Sequence, residues 1–229
     1  MNNLDYIAIF IFLMCWFGVE PILLIISKKS GLINKDLTII RLNWMRAFTM
    51  RDVKIFDSNL LGHSINSASF FASANLLIIA AIAGAIFEGQ IQTKAIQKFG
   101  IENQELQLKL ILILICLTRG LLNFIWSLRQ LNYCAAAFGA CPDIIDNDKR
   151  ENYALALADI VEPAMSNFSR GVRAYYFALA AGAWLYGPWF LIFGSVGAFG
   201  LLAFRQSKSQ AAKGIRKLRN LLEESNDNN

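Results

Sequence analysis

In the stretch LTRGLLNFIWSLRQLNY, residues 117–133, the side chains of Arg119, Asn123, Trp126, Gln130 and Tyr133 recur at helical spacing. At 100° per residue they fall within about 60° of one another and form a single polar and aromatic stripe. A guanidinium in such a stripe can pair with a buried acid, snorkel to an interface or line a water-filled cavity. The acid at matching depth is Glu20, in the first apolar run. Counted from Leu4 and Leu106 at 1.5 Å per residue, Glu20 lies about 24 Å and Arg119 about 20 Å from the same side. The three readings of Arg119 stay open on sequence alone.

A second group is Asp143, Asp146 and Asp148, which precede a helical segment. Clustered carboxylates suit a hard cation, but such a site needs about six placed oxygens and no known loop spacing is present. An acidic turn that caps the next helix is the simpler expectation. No GxSxG, HExxH, GxxxxGK[ST] or GxGxxG occurs, and the single histidine is His63. No metal site and no cofactor are therefore expected. Cys15, Cys116, Cys134 and Cys141 form no CxxC pair and read as small buried hydrophobes. Asn167-Phe168-Ser169 matches a glycosylation acceptor, a match without meaning on a cytoplasmic side.

The elements that must position these groups are apolar helices. Only 17% of the 229 residues are charged, against about a quarter in a soluble domain. Charge nearly vanishes from residues 6–26, 64–87, 110–128 and 174–204. Each run approaches or exceeds the roughly 20 residues of a transmembrane helix. The expected class is an all-α polytopic membrane protein, with a single helical membrane domain over 1–205 and a basic, then polar, cytoplasmic tail over 206–229. The first run has no basic n-region and its lysines, Lys28 and Lys29, come after it, so it reads as a retained span.

Basic residues mark the cytoplasmic side of each span. Lys and Arg gather in residues 28–62 and again in 205–219, whereas MNNLDY has none. This predicts an N-terminus outside and a C-terminus in the cytoplasm of a bacterial inner membrane. The last apolar region, residues 174–204, is too long for one crossing at about 46 Å. It is either one long fourth span or a hairpin turning at Tyr186-Gly187-Pro188-Trp189. Gly suits a helix end and Pro a helix start, and the hairpin returns the basic tail inside. Five spans are favoured over four on that charge argument, with Arg170 and Arg173 snorkelling.

Residues 38–62 read as one interfacial amphipathic helix. Leu42, Met45, Phe48, Val53, Ile55, Phe56 and Leu60 gather on one side, with Arg46, Arg51, Lys54 and Asp57 opposite, the bases positioned for anionic headgroups. Docking on a soluble face of the same protein would give the same pattern. In the second span Asn66, Ser69, Ser73, Ala80 and Gly84 form a small-residue stripe expected to pack helices closely, as Gly194 and Ala198 do in the last limb. Such faces leave room for a homo-oligomer. The net charge of +5 points to lipid headgroups as partners rather than nucleic acid.

The stretches NWMRAFTMRDVKIFDSNLLG, SASFFAS, FIWSLRQLNYCAAAFGACP and FSRGVRAYYFALAAGAWLYGPW resemble the membrane proteins grouped as domain of unknown function family 599 (DUF599). The resemblance implies a multi-spanning membrane protein and carries over no activity, ligand or catalytic residue. The leading functional expectation is a non-enzymatic oligomeric conduit, carrier or assembly factor. Its alternatives are a structural scaffold, or a membrane-embedded enzyme acting on a lipid headgroup at the cytoplasmic surface. The groups nearest to such an enzyme would be the three aspartates with Arg129 and Tyr133.

Overall fold

Apolar runs of this length can satisfy their backbone in lipid only as helices or closed barrels, and here they are helices. The computed structural model describes residues 2–30, 33–87 and 103–227. The order is α1 (Asn3–Ser30), α2 (Ile33–Met50), α3 (Ile55–Phe87), α4 (Asn103–Ala140), α5 (Asn147–Ala183), α6 (Pro188–Ser207) and α7 (Gln210–Asp227). The chain is an all-α membrane protein. Among the described residues three helical stretches, Ile55–Phe87, Gln104–Ala140 and Pro188–Ser225, are long and apolar enough to cross a bilayer, and Asn3–Val19 is a shorter apolar one. The side chains of Glu20, Lys28 and Lys29 lie outside the described residues, and with them the Glu20 to Arg119 pair.

The last apolar region is broken. After α5 comes one 3-10 turn, Trp184–Tyr186, then Gly187 at φ 131°, then α6 from Pro188. The Gly187 N–H donates to Trp184 O at 3.0 Å, and the Phe190 N–H returns to Gly187 O at 3.2 Å. Only glycine adopts that φ without strain, and proline opens α6 where an N–H would have no partner anyway. The limbs pack closely enough that a Cβ on Gly194 would stand 3.2 Å from Ala180 Cα.

The chain divides into two compact units. The first takes Met1–Leu23, Ala72–Leu122 and Arg170–Ala203, which is to say parts of α1, α3, α4, α5 and α6. In lipid, close packing rather than hydrophobicity holds helices together. Accordingly, Phe177 packs edge-on to Phe12, and Gly120 lets α4 approach α5 so that a Cβ there would meet Ala174 at 3.1 Å. Asn75 is fully buried and its Nδ2 donates to Leu117 O at 2.9 Å. This corrects the expected packing face of α3. Ala72 and Asn75 point into the unit, whereas Ser73 and Ala80, on the opposite face, are exposed. Asn75 packs inward because it can cross-link α3 to the α4 backbone.

The second unit takes Leu24–Phe71, Asn123–Ser169 and Phe204–Asn229. Its core gathers Met45, Phe48, Leu61, Leu131, Phe138 and Val161. Phe48 stacks on Phe138 with ring centroids 4.5 Å apart; fully burying such a side chain is worth about 1.5–3 kcal/mol in water. The expected single helix over 38–62 is therefore two, α2 and the start of α3, separated by residues 51–54. A buried acid closes the break. Asp57 is fully buried in the first turn of α3 and accepts hydrogen bonds from Trp44 Nε1 at 2.7 Å and from Arg51. Those bonds fold α3 back toward α2, and Met45 and Phe48, expected at lipid, fill the protein core instead.

The tail expected over 206–229 contains a helix. Ser209 caps α7, its Oγ accepting the Ala212 N–H at 3.1 Å. α7 packs on α2, with Arg219 Nε 3.5 Å and Arg216 Nε 3.9 Å from the carboxylate of Asp36, a residue 2% exposed.

Candidate functional site

Arg119 follows from a helix that stays helical through its charge: Leu117, Gly120 and Phe124 pack inward and leave position 119 on the outer face of α4. Its guanidinium lies over two rings of α1, 5.3 Å from the Trp16 centroid and 5.7 Å from that of Phe17. Guanidinium over indole is an attractive geometry, about 0.5–2 kcal/mol depending on desolvation. α5 brings Arg170 and Arg173 to the same place. Together with Trp16, Val19, Ala174 and Phe177 the three arginines surround a small cavity of about 30 Å³. None of the three is without a partner, and Arg119 and Arg170 keep more than a third of their surface exposed.

The depth of this cleft can be counted along three helices. Asp5 of α1 and Lys109 of α4 both contact Trp184, the residue that follows α5. From that layer to the cleft is 11 residues along α1 (Asp5 to Trp16), 10 along α4 (Lys109 to Arg119) and 11 along α5 (Trp184 to Arg173), about 15–17 Å in each case. The arginines thus occupy one level of the first unit, within a turn of its α4 and α5 limits at Leu122 and Arg170. The opposite face of α5, with Tyr175, Leu179 and Gly182, lines an apolar groove of about 690 Å³ that shares no residue with the cleft.

The remainder of the polar stripe belongs to the second unit, where Gln130 joins α4 to α5 while Trp126 and Tyr133 are exposed. Gln130 Oε1 accepts from Asn167 Nδ2 at 2.7 Å, and Ser127 Oγ donates to Ala164 O at 2.8 Å. Asn167, half of the glycosylation match, is 6% exposed. The Tyr133 oxygen accepts from Arg129 Nε at 2.6 Å. Asn123 is half-buried and lines no part of the arginine cavity.

The bases expected at headgroups are occupied by acids and carbonyls of the same unit. Arg46 grips Glu151 through Nε at 2.9 Å and Nη2 at 2.5 Å. Arg51 holds Asp57, and Lys54 donates to Pro142 O at 2.7 Å, 3.5 Å from Asp143. Arg41, another base of the 28–62 stretch, meets Glu162 at 2.6 Å. The hydrogen bond from Arg46 holds the Glu151 carboxyl below, and that to Glu151 the Arg46 guanidinium above, its ordinary pKa.

The three aspartates do not converge. Asp143 is 92% exposed, Asp146 pairs with Lys149 at 3.2 Å, and Asp148 sits in the first turn of α5. No trio of metal-ligating side chains occurs among the described residues. Cys134 is buried in the core of the second unit.

A family model described as a protein of unknown function, DUF599, matches residues 7–211. The chain belongs to the DUF599 family. The match takes in the cleft and both units up to the second residue of α7. No curated protein and no solved structure matches the chain. Arg170 and Arg173 were legible as charges at the foot of an apolar limb; that they join Arg119 depends on the pairing of α4 with α5, for which one sequence holds no signal.

Proposed function

We propose that this is a non-enzymatic inner-membrane protein, a carrier or assembly factor, that recognises an anionic lipid headgroup in the arginine cleft. The observation that carries the reading is the convergence of Arg119, Arg170 and Arg173 on one cavity beside Trp16. Guanidinium groups bind phosphate oxygens in forked geometry, and indole rings favour headgroup depth. Five spans support it, drawn from α1, α3, α4, α5 and α6, with the arginine level on the cytoplasmic side, the N-terminus outside and the C-terminus inside. A conduit within one chain has less support, because the cavity at Arg119 has only about 30 Å³; a headgroup would lie at its mouth, against the exposed sides of Arg119 and Arg170.

The test is native mass spectrometry of the full-length protein in mild detergent, offered phosphatidylglycerol and phosphatidylcholine together. Preferential retention of phosphatidylglycerol is expected. Each arginine replaced by Gln should lower it roughly fivefold, since a base near such a surface is worth about 1 kcal/mol. Equal retention of the two lipids, or full retention by a folded triple variant, would sink the proposal.

A further inference from the structure

The C-terminal stretch of the second unit carries three exposed lysines, Lys208, Lys213 and Lys217, outside the ion pairs of the unit's other bases. α6 is apolar from Pro188 to Phe204, and Arg205 is its first charge. Those 17 residues rise about 25 Å, enough to bring the chain from one side of a bilayer core to the other boundary. α7 then starts at Gln210, after a link of only Lys208 and Ser209. A helix tethered so closely to the end of a span begins at the membrane surface.

One side of α7 is committed to α2. Ala212 is 1% exposed, and Arg216 and Arg219 reach Asp36. The other side is not covered by any described residue. Leu218 is 46% and Leu221 54% exposed, and they stand about 60° apart on the wheel. Lys217 and Lys213 border Leu221 on its far side, about 40° and 80° further round. Both lysines and Lys208 are exposed. Among the described residues none of these three forms an ion pair with a carboxylate, in contrast to Arg41, Arg46, Arg51 and Lys54. An apolar strip edged by lysines is the pattern of a helix lying in an interface, its leucines among the acyl boundary and its ammonium groups at phosphates.

We infer that α7 is the membrane-surface element of this protein, and that its Leu218–Leu221 strip rests on the anionic leaflet from which α6 emerges. The role expected of residues 38–62 passes to the C-terminal helix. α2, by way of Asp36, is the support that orients it. The inference does not depend on the arginine cleft, which α7 does not line.

The experiment uses full-length protein in nanodiscs of phosphatidylcholine alone or mixed with phosphatidylglycerol. Amide hydrogen exchange over residues 211–222 should slow several-fold when phosphatidylglycerol is present. Replacing Lys213 and Lys217 with Gln should remove most of that difference. A photo-reactive diazirine side chain placed at Leu218 should form lipid adducts, whereas one at Asn220, on the opposite side, should not. Exchange indifferent to the anionic lipid, equal adducts at both positions, or protection that appears only on adding soluble protein overturns the inference.

Discussion

Trp184 Nε1 donates to Asp5 Oδ1 at 2.9 Å, joining residues 179 apart in the chain. The second oxygen of Asp5 accepts the Asn2 N–H at 2.9 Å, and Lys109 Nζ stands 5.8 Å from the centroid of the same indole. Asp5 and Trp184 are 7% and 2% exposed, so the start of α1 is tied to the end of α5 through groups with little water left to replace the bond.

That tie should be costly to cut from the acceptor side. Asp5→Ala leaves the indole N–H buried without a partner and is expected to cost about 1–3 kcal/mol. Asp5→Asn keeps an acceptor and should cost less. Thermal melting in detergent distinguishes them, and equal losses would mean that the bond contributes little.

Asp57 carries a different kind of load. It accepts from Trp44 and Arg51 across the break between α2 and α3 while itself fully buried. Asp57→Ala removes the common acceptor, leaves the Trp44 indole N–H without its partner and is expected to destabilise the second unit by about 1–3 kcal/mol. Arg51→Gln should cost less, because Arg51 is 40% exposed and water can replace part of what it supplies. Proteolysis at residues 51–54 would report the opening of the elbow; a folded, protease-resistant Asp57→Ala protein would remove Asp57 as its cause.

The pH dependence of the Arg46 to Glu151 pair has a definite sign. The folded-state pKa of Glu151 is lowered by the hydrogen bond from Arg46. The pair's contribution is therefore complete above the ordinary carboxylate pKa and is lost as pH falls through the lowered folded value. Glu151 is 51% exposed, so the contribution is only some tenths of a kcal/mol, about 0.5 at most. The melting difference between the parent and Glu151→Gln should be present at neutral pH and vanish in acid; a difference that grows in acid would refute the assignment.

What could be read beforehand was what local chemistry decides. The turn at Gly187-Pro188 was legible because a glycine suited to a helix end precedes a proline suited to a helix start. The apolar helices were legible from charge-free runs. The fate of the bases on α2 was not, because an amphipathic face looks the same whether it meets lipid or protein. Met45 and Phe48 found Phe138 and Val161, partners about 90 or more residues away. Likewise the small-residue stripe of α3 drew attention from Asn75, whose role rests on one carbonyl of α4.

The hairpin of α5 and α6 makes the last prediction, since it separates five crossings from four. Gly187 needs its positive φ of 131°, and Gly194 needs the absence of a Cβ against Ala180. Gly187→Ala meets open space around its new methyl, so its cost should be backbone strain alone, about 1–3 kcal/mol. Gly194→Val presses a branched side chain on the α5 backbone and should cost about as much through overpacking. The two losses have different origins at sites seven residues apart, so they should add. Topology reporters fused at both termini then decide the count. Opposite sides for the two ends are expected in the parent protein, and both ends on one side would restore a single long final span.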